Sequence, residues 1–223
     1  ARASTGLPSA SGALAAALRD DRPRVREAAL RALGAPEATV NGTAEREVLA
    51  LLRTDPWTFV RAAASGTMAA RPPNAVTDEA LLAGLAEDPS SIVRATIIDA
   101  LGERKSPATI DAVRDKADEP KESLAVRKAA LRALGAMCDV EAVDLLTKLA
   151  QRAAAAQVPY DRPLGEVALR ALGEIHPADL PTRLAPLLAP KVPPNLRRIA
   201  RGILRQPGSC DGSARPSSNL RSR

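Results

Sequence analysis

The phrase Val-Arg-x-Ala-Ala-Leu-Arg-Ala-Leu-Gly is written twice, as residues 25–34 and 126–135. It returns in altered form from Val60, Val93, Leu164 and Leu196, so the anchors lie 35, 33, 33, 38 and 32 residues apart. A near-constant period of this size means stacked supersecondary units, each too small to bury its own apolar face. The 223 residues therefore form one array rather than one or two independent globular cores.

Each period reads as a helix pair. The first helix of a pair carries apolar residues three and four apart, as in Val48-Leu49-Leu52, Leu81-Leu82-Leu85 and Val143-Leu146-Leu149, which places them on one helical face. The break within a pair is usually an acid followed by proline: Asp21-Arg22-Pro23, Asp55-Pro56, Asp88-Pro89, Glu119-Pro120 and Asp161-Arg162-Pro163. An acid there accepts free N–H groups at the next helix start and complements the helix dipole. Proline fits a first turn, where its missing donor has no partner to lose. The sixth copy has no such acid, and Asn195 is its candidate cap. The second helix carries the repeated phrase, and Val25, Ala28, Ala29, Leu30, Ala32 and Leu33 are expected to face neighbouring helices. Gly34, Gly102, Gly135 and Gly173 follow the last apolar residue, the position of a left-handed helix cap.

The residues from Leu14 to Gly34, from Leu81 to Gly102 and from Leu124 to Gly135 share the phrase L-x-x-x-L-x-D-x-x-P-x-V-R-x-A-A-x-x-A-L-G, in whole or in part. This phrase resembles the HEAT-repeat family, and within it the short bacterial repeats of phycobilisome-lyase type. Ankyrin and tetratricopeptide repeats do not fit, for want of a T-P-L-H phrase and of placed aromatics. The resemblance implies an all-α, right-handed solenoid of about six helix pairs over residues 12–205. Residues 1–11 read as a flexible lead-in and 206–223 as a disordered basic tail.

Only three aromatic residues, Trp57, Phe59 and Tyr160, occur in the chain. Its core must be built from Leu, Val, Ile and Ala, with many modest contacts between repeats. The formal charge of +6 is concentrated at the ends, with +3 on residues 205–223 and one arginine in residues 1–11, leaving +2 on the body. That distribution argues against a nucleic-acid groove. No apolar run approaches a membrane span. The two cysteines, Cys138 and Cys210, make no framework and read as reduced thiols in a cytoplasmic protein. A leader lost before Ala1 would make the protein an exported one instead.

The arginine after each anchor recurs as Arg26, Arg61, Arg94, Arg127 and Arg197. The resemblance implies a structural ladder in which it reaches the acid of the inter-helix turn, with Asp21, Asp55, Asp88 and Glu122 as partners. A guanidinium can fork onto a carboxylate and nearby carbonyls. A second set is expected on the exposed side of the repeated helices: Arg24, Glu27, Arg31, Arg104, Lys128, Arg132, Arg170, Arg198 and Arg201. Such helices commonly line the concave face of a solenoid. Trp57 and Phe59 read first as fillers for a copy that lost leucines to Ser65 and Gly66, and second as an anchor for a partner. Residues 151–160 form an insert, with Tyr160 a contact candidate in its loop.

No catalytic constellation is present. His176 is the sole histidine and sits before Pro177 at a helix end. There is no zinc spacing and no phosphate loop. The expectation is therefore a non-catalytic scaffold or adaptor without a cofactor. It would bind another protein or an acidic peptide through its concave face, using Arg31, Lys128, Arg132, Arg170 and Arg201 with Trp57. A bilin-lyase-type accessory role, implied by the resemblance, and a nucleic-acid-binding role are the alternatives. The oligomeric state is left open.

Overall fold

The computed structural model describes residues 10–35, 38, 42–155 and 161–210. Among them are twelve α-helices, three short 3-10 turns and no strand. The helices are α1 (Ala10–Ala17), α2 (Pro23–Leu33), α3 (Gly42–Thr54), α4 (Thr58–Ala69), α5 (Ala75–Glu87) and α6 (Ser91–Arg104). They continue as α7 (Ile110–Asp118), α8 (Leu124–Ala136), α9 (Val143–Ala155), α10 (Asp161–Ile175), α11 (Leu180–Leu184) and α12 (Pro194–Ile203). They form six consecutive pairs, and each second helix begins with or just before a repeat anchor. Tyr160 lies outside the described residues, as do most of the expected lead-in and all of the tail beyond Cys210.

The chain divides into two compact units, residues 1–133 and 134–223, and the division falls within α8. In the first unit α2 packs on α4 and α4 on α6, while α3 packs on α5, so second helices form one layer and first helices another. In the second unit α10 packs on α9 and α12, and the 3-10 turn Ala185–Leu188 lies against α9 and α12. The anchors Val60, Val93, Val126 and Leu196 are wholly buried, as are Leu30, Ile98, Leu131 and Leu169 five residues beyond their own anchors. Ala28 and Ala32 are exposed, against expectation, because α2 has a helix beside it on fewer sides than the later copies.

The glycines that close the repeated phrase are not left-handed caps. No glycine among the described residues has positive φ. Instead Lys105, Cys138 and His176 take that conformation, with φ of 52°, 57° and 51°, each three residues after Gly102, Gly135 or Gly173. α6, α8 and α10 run two or three residues further than the sequence suggests, whereas α2 ends at Leu33. The glycines serve close approach between helices instead. A Cβ on Gly102 would stand 2.9 Å from Ala133 Cα, one on Gly135 2.9 Å from Ala171 Cα, and one on Gly173 2.9 Å from Ile203 Cγ1. Ala133, Ala171 and Ile203 occupy the same place in the next copy, seven residues after its anchor.

The cysteines are not free thiols. Cys138 and Cys210 form a disulfide with a Cα–Cα distance of 5.7 Å. The start of the expected tail is correspondingly placed. The N–H groups of Ser209 and Cys210 both donate to the Glu174 carbonyl at 3.1 Å, and Gly208 lies against His176. Sequence reading missed this because the two cysteines are 72 residues apart and nothing local pairs them.

Candidate functional site

The acids and arginines of the repeat form a series of rungs. Arg26 donates through Nε to Asp55 at 2.8 Å and through Nη1 to the Asp20 and Asp21 carbonyls at 2.8 and 3.2 Å. Arg61 donates through Nε and Nη2 to Asp88 at 2.7 and 3.1 Å, and through Nη1 to the Asp55 carbonyl at 2.9 Å. Arg94 repeats the arrangement with Glu122, at 3.0 and 2.7 Å, and with the Asp88 carbonyl at 2.7 Å. Each arginine thus takes carbonyls of its own turn and the carboxylate of the following one. Asp21 gives Arg26 its carbonyl, and the carboxylate comes from Asp55 instead. The same carboxylates order the helix entries, accepting from Trp57 N–H at 2.9 Å, Ser90 N–H at 2.8 Å and Ser123 N–H at 2.7 Å.

Electrostatics follow this geometry. Burial pushes the Glu122 carboxyl up, but hydrogen bonds from Arg94 and the Ser123 N–H outweigh it and hold the group below its ordinary value. The Arg61 and Arg94 guanidinium groups are raised by the hydrogen bonds they donate to Asp88 and Glu122. At the edge of the first unit the Arg22 side chain and N–H bring Asp20 down to about 2.

The later copies break the series for visible reasons. Arg127 donates through Nε to the Ala117 carbonyl at 3.1 Å. The fifth copy has Gly165 in place of arginine, and a Cβ there would collide with Ala153 of α9. Asn195 is no helix cap: it lies inside α12, and its side-chain amide donates to Glu166. Arg197 keeps its place in the phrase, yet its Nε is buried without a hydrogen-bond partner.

The expected exposed set divides. Glu27 and Arg104 are buried, not exposed. Arg104 donates to Asp78 through Nε at 3.0 Å and Nη2 at 2.9 Å, and through Nη1 to the Met68 and Arg71 carbonyls. It thereby closes the C-terminal end of α4, a role its position past the repeated phrase did not announce. Glu27 carries both Arg24 and Arg31 at 2.7 Å. Arg132 pairs with Asp99 at 2.8 Å. Lys128 is half-buried, and Arg170, Arg198 and Arg201 are exposed. Arg31, Trp57, Lys128 and Arg132 belong to the first unit, Arg170 and Arg201 to the second.

Trp57 is not a filler. It is 50% exposed, its ring centroid 5.7 Å from that of Phe59. The Arg24 guanidinium lies 4.2 Å above the Phe59 ring. Trp57, Phe59 and Arg24 make one surface at the start of α2 and α4, while Arg31, held by the buried Glu27, lies in the last turn of α2. No helix among the described residues is long and apolar enough to cross a membrane, and no group of three or more His, Cys, Asp or Glu side chains among them could hold a metal ion.

Paired helices, packed second helix on second helix in the first unit and fastened turn to turn by arginine, define the class of α-helical repeat proteins. Residues 79–162 match the HEAT-repeat family model. That segment carries HEAT repeats, and its anchor, arginine and acid–proline turn recur before it at Val25-Arg26 and Val60-Arg61. HEAT repeats in general serve as scaffolds for protein interaction. No curated protein matches the chain.

Proposed function

We propose that this protein is a non-catalytic scaffold that binds another protein through the exposed side of its second helices. The observation that carries this reading is Trp57, half exposed and set at a tilt against Phe59, whose own ring lies under the Arg24 guanidinium. A large aromatic held rigidly at the surface beside arginine is the composition of an interface anchor. The rungs below it keep both helices fixed, so binding costs little ordering on this side. Arg31, Lys128 and Arg132 on second helices of the first unit add a polar rim, and Arg170 and Arg201 are exposed on second helices of the second unit.

The test is capture of partners on the immobilised full chain, wild type against Trp57→Ala and against Arg132→Glu with Arg170→Glu. A partner held by the wild type and lost from both variants, with helicity unchanged by circular dichroism, supports the reading. A partner held equally by all three sinks it. The bilin-lyase-type and nucleic-acid alternatives have no observation of their own in their favour.

The disulfide supports an exported protein over a cytoplasmic one, because such bonds persist in oxidising compartments. Alkylation of cell extract under denaturing, non-reducing conditions tests it: free Cys138 and Cys210 thiols in the native host would return the protein to the cytoplasm.

A further inference from the structure

The series of ladder arginines ends at Arg197, and the last copy departs from the others where a following copy would pack. Five residues after the anchor, four copies place a wholly buried apolar side chain: Leu30, Ile98, Leu131 and Leu169. The sixth places Arg201, which is exposed. Nine residues after the anchor, four copies place a glycine, and Gly34, Gly102, Gly135 and Gly173 all accept the next second helix at van der Waals distance or closer. The sixth places Arg205, also exposed. This face of α12, running from its first residue Pro194 to Arg205 just past its end, is thus unsuited to another apolar hairpin. It is a depression of about 460 Å³ lined by Pro194, Arg197, Arg198, Arg201, Gly202 and Arg205. Among the described residues, no carboxylate meets any of its four guanidinium groups.

The Arg197 Nε is the independent sign that a ligand belongs there. Arg26, Arg61 and Arg94 donate from the same atom to a carboxylate at 2.7–3.0 Å. In Arg197 that atom is buried and bonded to nothing, although a buried donor without a partner is costly. The Arg71 Nε is also buried and unpaired, but Arg71 donates through Nη1 and Nη2 to the Ala38 and Leu33 carbonyls, whereas Arg197 lines the depression itself.

We propose that the α12 depression is a binding site for an acidic polypeptide segment, in which an Asp or Glu carboxylate completes the Arg197 rung and Arg198, Arg201 and Arg205 take neighbouring acids. The carboxylate is the chosen class because three equivalent arginines in this chain take one through Nε, and two of them, Arg61 and Arg94, grip it through Nη2 as well. Planar, two-point recognition of this kind is particular to arginine. The site shares Arg201 with the second-unit residues named above but does not rest on Trp57.

The experiment is fluorescence anisotropy of a short fluorescein-labelled peptide of Glu and Asp, titrated with the full chain at low salt. Wild type binds saturably. Arg197→Lys, which keeps the charge and loses the fork, weakens binding roughly tenfold, and Arg201→Gln does the same. Trp57→Ala leaves it unchanged, so failure here and failure of the first-unit surface are read apart. Thermal melts confirm that each variant folds. Binding indifferent to Arg197→Lys overturns the proposal, because general positive charge then explains it. Displacement by inorganic phosphate at concentrations where acetate has no effect overturns it in favour of a phosphate ligand. Binding that appears only in Asp211→Asn also overturns it, assigning the hollow to the chain's own tail.

Discussion

Arg61 and Asp88, 27 residues apart, hold each other across two consecutive helix pairs with both side chains nearly out of solvent. Asp88 also accepts the Ser90 N–H, so its carboxylate serves three donors at once. Asp88→Ala would leave a buried guanidinium and a helix-entry N–H unpaired. The expected loss is about 3 kcal/mol in urea unfolding, the scale for breaking rather than replacing a buried pair. Asp111→Ala removes the Arg114–Asp111 pair, whose carboxylate is 91% exposed, and is expected to cost nothing measurable. Equal losses from the two would deny the rungs any special role.

The repeat, the helix pairs and the acid–proline turns were legible because they are local: spacing, capping chemistry and apolar faces all lie within one period. The identity of the Arg26 partner was not. Asp21 stands beside Arg26 in the sequence, whereas Asp55 reaches it only because α2 and α4 pack side by side. Trp57 was misplaced for a related reason. Loss of leucines at Ser65 and Gly66 suggested a void, yet Ser65 bonds the Ala62 carbonyl and Thr96, and Gly66 has no neighbour that a Cβ would meet. The copy has nothing to fill.

Glycine tells two opposite stories in the same repeats. At Gly102 a methyl group would press on the Ala133 backbone at 2.9 Å. Gly102→Ala is therefore expected to destabilise by about 1–3 kcal/mol, despite a helix-propensity gain of about 1 kcal/mol. At Gly66, mid-helix and open, the same change meets no clash and is expected to stabilise by up to about 1 kcal/mol. Lys105, left-handed at φ 52°, is the place where glycine belongs, and Lys105→Gly is expected to relieve about 1 kcal/mol of strain. Thermal melts of the three variants check the signs. A stabilising Gly102→Ala would refute close approach as the reason for the glycine.

Glu122 gives the rungs a pH signature. Its carboxyl is held below the ordinary 4.5 in the folded chain, so the unfolded chain binds its proton first as pH falls. The contribution is complete above about 4.5 and disappears as pH drops through the lower folded value. Glu122→Gln cannot change charge there. Unfolding free energy measured from pH 6 down to pH 3 should fall less steeply in this variant than in the wild type. Parallel curves would mean that Arg94 does not depress the group.

The Cys138–Cys210 bond closes a loop across a separation of 72 residues, with α9, α10, α11 and α12 between its ends. Chain-entropy arguments assign such a loop about 4 kcal/mol of stabilisation. The bond holds Cys210 where its N–H meets the Glu174 carbonyl, so its loss should free the segment after α12 before any helix melts. Reductant is expected to lower the unfolding midpoint of the wild type and to leave that of Cys138→Ser with Cys210→Ser unmoved. Hydrogen exchange should locate the first loss of protection at Ser209 and Cys210. A wild-type midpoint indifferent to reductant, with free thiols verified by alkylation, would show that the helices hold this unit without the crosslink.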